Sequence, residues 1–111
     1  DQLKLTLTNM PASSLFGLPK SNDTAAIDAD KLVYPLTLRK WEQGDVFYPL
    51  GMSNKKKLSN FFSDNKFSID QKEDTWLMIS DQQIVWIVGH RLDNRFKVTP
   101  NTRQILLVES S

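Results

Sequence analysis

Residues 75–88 read TWLMISDQQIVWIV, and they decide the fold. Two apolar runs, 75–80 and 84–88, flank Asp81-Gln82-Gln83. Short runs rich in β-branched and aromatic residues, broken by a polar turn, are the mark of a β-hairpin. The second run is apolar at every position from Ile84 to Val88. A strand with one wet face alternates, so this strand is expected to be covered on both sides. Trp76 and Trp86 lie inside these runs and are read as core residues rather than stacking platforms. Trp41 and Tyr48 flank a turn and are open to either role.

Working upstream, SIDQKED (residues 68–74) reads as a short helix capped by Ser68. Before it, KKKLSNFFSDNKF (residues 55–67) places Leu58, Phe61 and Phe62 at i, i+3 and i+4, the spacing of one buried helical face. Ser53 or Asn54 is the expected cap. This puts Lys55, Lys56 and Lys57 at the helix start, where exposed cations cost about 0.3–1 kcal/mol each against the macrodipole. Further upstream, LVYPLTLRKW (residues 32–41) reads as a strand that Pro35 confines to an edge. Turns at Gly44-Asp45 and Pro49-Leu50-Gly51 follow. DQLKLTLTN at the start alternates, with Leu3, Leu5 and Leu7 on one face. Residues 10–26, rich in proline and small polar residues, read as an irregular connection. Downstream, Gly89 to Arg95 is expected to leave the sheet through an Asp93-Asn94 turn, and RQILLVE (residues 103–109) to close the domain as a strand. The order of strands, one or two short helices, then strands predicts an α+β fold. That fold is a small, mostly antiparallel β-sandwich-like domain with the helices at one side.

The 111 residues suffice for one domain, at 40% hydrophobic and 24% charged. There is no cysteine, which excludes disulfides, thiolate metal sites and cysteine nucleophiles. A reducing compartment, the cytoplasm, is the expectation. No apolar run approaches the roughly 20 residues of a membrane span. The chain opens on Asp1 and is read as a fragment or processed product.

Catalytic patterns are missing. Gly17, Gly44, Gly51 and Gly89 are scattered, whereas phosphate loops need clustered glycines. His90, the one histidine, has no evident partner; a base or ligand role is open, and a partly exposed structural role is expected. Asp28 and Asp30 could do acid–base work but are read as caps or turn formers. No metal ligand set and no catalytic residue is expected.

Charge distribution carries the remaining signal. The net charge is +1, yet residues 51–67 and residues 89–103 each hold a surplus of three positive charges. Together they could form one patch. Unpaired amides at a helix start, rimmed by Lys55, Lys56 and Lys57, would suit a backbone phosphate. The alternative is a solvated lysine run.

The ordered motifs resemble the C-terminal domain of bacterial tRNA(Ile)-lysidine synthetase. Arg39 precedes Gly44, Asp45, Phe47, Pro49, Gly51 and Met52. Lys56, Lys57, Leu58, Phe62 and Lys66 follow, then Trp86, Gly89, Arg91 and Arg95 through Val98. The resemblance covers residues 28–109; residues 1–27 read as a variable strand and connection, and 28–111 as the tRNA-binding domain. It implies a parent ligase that uses ATP and magnesium to adenylate the wobble cytidine of tRNA(Ile) and attach lysine. The parent's Ser-Gly-Gly-x-Asp-Ser ATP loop is not in this sequence, so no cofactor is expected here. The family also implies a role in holding tRNA near its acceptor stem, next to an N-terminal catalytic domain of the same chain. It implies as well a fold shared with the β subunit of phenylalanyl-tRNA synthetase. The expected RNA contacts are Lys55, Lys56, Lys57 and Lys66, with Arg91 and Arg95 as planar donors and Arg39 and Lys40 as weaker candidates. Gly44, Asp45, Gly51 and Met52 are assigned to turn geometry and packing. A structural or dimerisation module, pairing through an edge such as LVYPL, is the competing expectation.

Overall fold

The computed structural model describes residues 3–111. Asp1 and Gln2, the first residues of the expected opening strand, lie outside it. Along the described chain run β1 (Leu5–Pro11), β2 (Thr24–Asp28), β3 (Thr37–Lys40), β4 (Val46–Phe47) and β5 (Lys56–Lys57). Helices α1 (Leu58–Asp64) and α2 (Ile69–Asp74) come next. Strands β6 (Trp76–Ser80), β7 (Gln83–Ile87), β8 (Arg91–Leu92) and β9 (Gln104–Ser110) complete it. The strands form an antiparallel sheet β3-β6-β7-β8, a second sheet β1-β9-β2 and a small ribbon β4-β5. The architecture is the expected α+β one, with mostly antiparallel strands and two short helices.

The hairpin that predicted the fold is its middle layer. Leu77, Ile79, Ile84 and Ile87 pack on one side against Phe47, Leu58, Phe61 and Phe62. Met78, Val85, Trp86 and Val88 pack on the other against Ala25, Ile27, Leu106 and Val108. So the sheet is covered by α1 on one face and by β9 and β2 on the other. Successive residues of a strand face opposite ways, yet Val85 and Trp86 share a side. A register shift between Met78 and Ile79 explains this: Met78 pairs with Trp86 and Ile79 with Ile84, leaving Val85 as an extra residue. Asp81 and Gln82 both adopt positive φ, 48° and 67°, making the two-residue loop a type I′-like turn.

Two turns position the segment between β3 and α1. Asp45 N–H donates to Glu42 C=O at 3.1 Å, and Met52 N–H to Pro49 C=O at 2.8 Å. Gly44 and Gly51 occupy the third position of each, at φ 95° and 88°. A side chain there would be strained, so glycine is required. After α1 the chain closes a Schellman motif. Lys66 N–H donates to Ser63 C=O and Phe67 N–H to Phe62 C=O, with the Phe62 and Phe67 rings 4.8 Å apart. Lys66 supplies the left-handed residue, φ 57°, where glycine is usual. Ser68 and Gln71 form a reciprocal capping box on α2, as the cap reading expected.

Several expectations are corrected. The stretch 10–26 is not irregular throughout: β2 begins at Thr24 and is largely buried. Of LVYPLTLRKW only Thr37–Lys40 is a strand. Leu32–Leu36 pair with no strand, and both backbone groups of Val33 bond the Ser80 hydroxyl instead, so no ladder edge is offered by LVYPL. Arg91 and Leu92 stay in the sheet as β8 before the Asp93 turn. Asp28 and Asp30 are turn formers as expected, but at a strand's end: Asp28 accepts from Asp30 N–H, and Asp30 from the N–H groups of Arg103 and Gln104. No helix among the described residues is long and apolar enough to cross a membrane.

Candidate nucleic-acid interface

The lysine run does not open the helix. Lys56 and Lys57 are paired with Phe47 and Val46 as β5, and α1 begins only at Leu58. The first helical amide, of Leu58, donates to Asp45 C=O at 2.9 Å. Lys57 is the extended N-cap residue of α1 and still adjoins its positive end, without a side-chain cap, whereas Lys55 and Lys56 lie before the helix. The expected cap at Ser53 or Asn54 is accordingly absent, and the first amide of the expected phosphate cradle is already bonded.

Alternation along β5 throws Lys56 and Lys57 to opposite faces. Lys56 reaches back along α1 to the Asp64 carboxylate. Lys55 and Lys57 are exposed and have no ion-pair partner among the described residues. Lys66, held outward by the Schellman turn, is likewise exposed and unpaired among them.

The arginines are tethered. Arg39 grips Asp45 bidentately, with both N–H···O distances 2.9 Å. The Asp45 hydrogen bond, stronger than the opposing burial, raises the Arg39 pKa. Burial pushes the Asp45 carboxyl up, but the bond from Arg39, the Glu42 amide and the Arg39 charge together hold it below its ordinary value. Asp45 is thus a clamp as well as a turn residue. Arg95 donates to both oxygens of Asp93 at 3.0 Å and lies over the Tyr48 ring at 4.4 Å. Asp93 is 0% exposed and also accepts from the amides of Tyr48 and Arg95. Arg91 donates to Leu50 C=O at 2.8 Å. Lys40 sits over the Trp76 ring at 4.1 Å. Of the eight candidate cations, Lys55, Lys57 and Lys66 are therefore the ones left without a protein partner among the described residues.

The structure ties the turn that leads into the first basic zone, residues 48–51, to the second zone. Leu50 N–H donates to Leu92 C=O, Asn94 N–H to Tyr48 C=O, and Gly51 N–H to the Asn94 side chain at 3.0 Å. His90 packs on Phe67 with ring centroids 4.8 Å apart. Partial burial against that ring lowers its pKa, with Asp23 opposing. Sequence reading missed Asp64, Asp45 and Asp93 as the groups that decide which cations are held. Asp93 had a local signal, since an aspartate two residues before an arginine can cap that residue's amide. Asp45 and Asp64 had none, lying six and eight residues from the cations they bind. Gly17, Gly44, Gly51 and Gly89 stand singly in separate places, each with positive φ. No group of three or more histidine, aspartate or glutamate side chains among the described residues could hold a metal.

A tRNA(Ile)-lysidine synthase of Parabacteroides distasonis is 45% identical over 108 residues, covering 97% of this chain and 25% of the relative. One from Bacteroides thetaiotaomicron is 44% identical over 92 residues, covering 83% of this chain and 22% of the relative. The chain spans about a quarter of the length of these curated relatives. A crystal structure of a TILS C-terminal domain superposes with a TM-score of 0.78 at 17% identity, covering 96% of this chain and 83% of that one. An N-terminal fragment of the phenylalanyl-tRNA synthetase β-subunit from Pyrococcus horikoshii does so with a TM-score of 0.67 at 18% identity, covering 79% of this chain and 28% of that one. At such identities these structures speak for the fold alone. The family model of the TilS substrate C-terminal domain matches residues 36–108, more than half of the sequence, and the chain belongs to that family.

Proposed function

We propose that this chain is the tRNA-holding, non-catalytic domain of a tRNA(Ile)-lysidine synthase. It would work in the cytoplasm beside the N-terminal catalytic domain of the same protein. In this reading the catalytic domain carries ATP, magnesium and the attachment of lysine to the wobble cytidine. In this reading no chemical step is assigned to this chain's residues. The carrying observation is the exposure of Lys55, Lys57 and Lys66 around α1 without carboxylate partners among the described residues. Free ammonium groups on a fixed helix-and-ribbon frame suit backbone phosphates, which position a nucleic acid without reading its sequence. The acceptor-stem region of the tRNA is the proposed partner. Arg39 and Arg95, engaged by Asp45 and Asp93, serve in this reading to hold the frame.

The test is tRNA retention by a Lys55→Glu, Lys57→Glu, Lys66→Glu triple variant. Three phosphate contacts give a log–log salt slope of roughly −2 to −3 for the parent. The variant is expected to lose measurable retention with its circular dichroism unchanged. Undiminished binding by a folded variant would overturn the reading.

A further inference from the structure

We propose that the cleft beside Arg91 takes one unstacked nucleobase of a single-stranded RNA segment, with the adjoining phosphate held by Arg91 and Lys97. This rests on the RNA-binding reading above and adds a second, chemically different site to it. A cavity of about 240 Å³ lies between β2, β8 and the loop at residues 18–22. Leu18, Ala25, Leu92 and Val98 give it apolar walls, with Trp86 among its lining. A second cavity, of about 380 Å³, shares Asn22, Leu50, His90 and Arg91 with the first and continues to Asn65 and Phe67. The cleft therefore runs past Arg91 and turns polar toward the Schellman turn that presents Lys66.

Three features select the occupant. The inner cavity falls below the roughly 300–1,000 Å³ of sites for drug-sized ligands, which suits one ring system rather than a peptide segment. Arg91 and Lys97 line it, and no aspartate or glutamate lines either cavity, so the cleft favours an anion-bearing ligand. Ser21, Asn22 and Thr24 stand at the wall with hydrogen-bonding groups for a base edge. The Arg91 guanidinium is tethered by one bond to Leu50 C=O and has further N–H groups left to donate. A flat aromatic ring attached to a phosphodiester meets all three conditions. Only an unpaired nucleotide can insert its base, because duplex RNA keeps its bases stacked.

The experiment is an amide-resolved NMR titration of the chain with three probes: single-stranded tetra-adenylate RNA, the same backbone without bases, and a blunt RNA duplex. Tetra-adenylate is expected to shift the amides of Ala25 and Ala26 together with Leu92 and Val98, while the abasic strand, which keeps the phosphate, leaves Ala25 and Ala26 in place and the duplex leaves all four. An Arg91→Gln, Lys97→Gln variant is expected to bind tetra-adenylate about tenfold more weakly. The duplex should shift Lys55 and Lys57 in parent and variant alike. Equal shifts from the abasic strand would overturn the base pocket. Tetra-adenylate shifts confined to Lys55–Lys57 would overturn the cleft and leave the lysine surface standing. No shift from any of the probes would overturn both.

Discussion

At the scale of single residues, acidic side chains sort the cations. Asp64, Asp45 and Asp93 each hold one basic group, and the cations they leave free are the ones the proposed function uses. Lys66 shows the compromise most clearly. Its left-handed backbone costs a non-glycine residue on the order of 1 kcal/mol, yet the turn aims its ammonium outward at the end of α1. Lys66→Gly is expected to leave stability unchanged or raise it by up to about 1 kcal/mol in urea unfolding, and to weaken tRNA retention. The Arg39–Asp45 clamp predicts a pH dependence. The folded Asp45 pKa lies below its ordinary value, so in the unfolded chain the carboxyl takes its proton at higher pH. The clamp's contribution is full above the ordinary carboxylate range and is lost as pH falls through the folded value. Asp45→Asn should lower stability by about 1 kcal/mol at pH 7, and the loss of stability on acidification below about pH 4 should be shallower in the variant than in the parent.

Among the elements, the β6–β7 hairpin is the most legible and the β4–β5 ribbon the least. Asp81 and Gln82 both hold positive φ in a two-residue loop that favours Asp-Gly. Gln82→Gly should therefore raise the thermal midpoint, by an amount equivalent to roughly 0.5–1 kcal/mol. The hairpin, the Ser68 cap and the closing strand were readable because their signals are local: apolar runs, a capping residue, a polar turn. β2 was not, because Ala25 and Ala26 carry little strand preference and follow a proline-rich stretch; only pairing with β9 makes them a strand. In the sequence the lysine run reads as a helix start because Leu58, Phe61 and Phe62 give the helical spacing immediately after it. Its pairing with Val46 and Phe47, about ten residues upstream, leaves no periodic trace. The candidate site was legible in the same measure. Its basic residues stand out in the sequence, but which of them are free depends on carboxylates brought close by the fold.

Considered whole, the molecule has two apolar layers that share one sheet. Leu77 and Ile87 belong to one layer, Met78 and Trp86 to the other, on the same two strands. Neither layer can be lost without stripping a face of β6 and β7. Unfolding in urea is expected to be a single transition, with tryptophan fluorescence and far-ultraviolet circular dichroism giving coincident midpoints. Distinct midpoints would show that the layers open separately. The placement of β9 between β1 and β2 has a different consequence. Leu5 pairs with Ser110, and Ser111 N–H donates to Lys4 C=O at 3.0 Å, so the first and last described residues lie side by side. A domain whose described ends lie side by side can be spliced into a surface loop of an unrelated host without stretching either junction. It can equally be rewired, with the ends fused and a new opening cut at Asp81-Gln82, to carry its cationic face elsewhere.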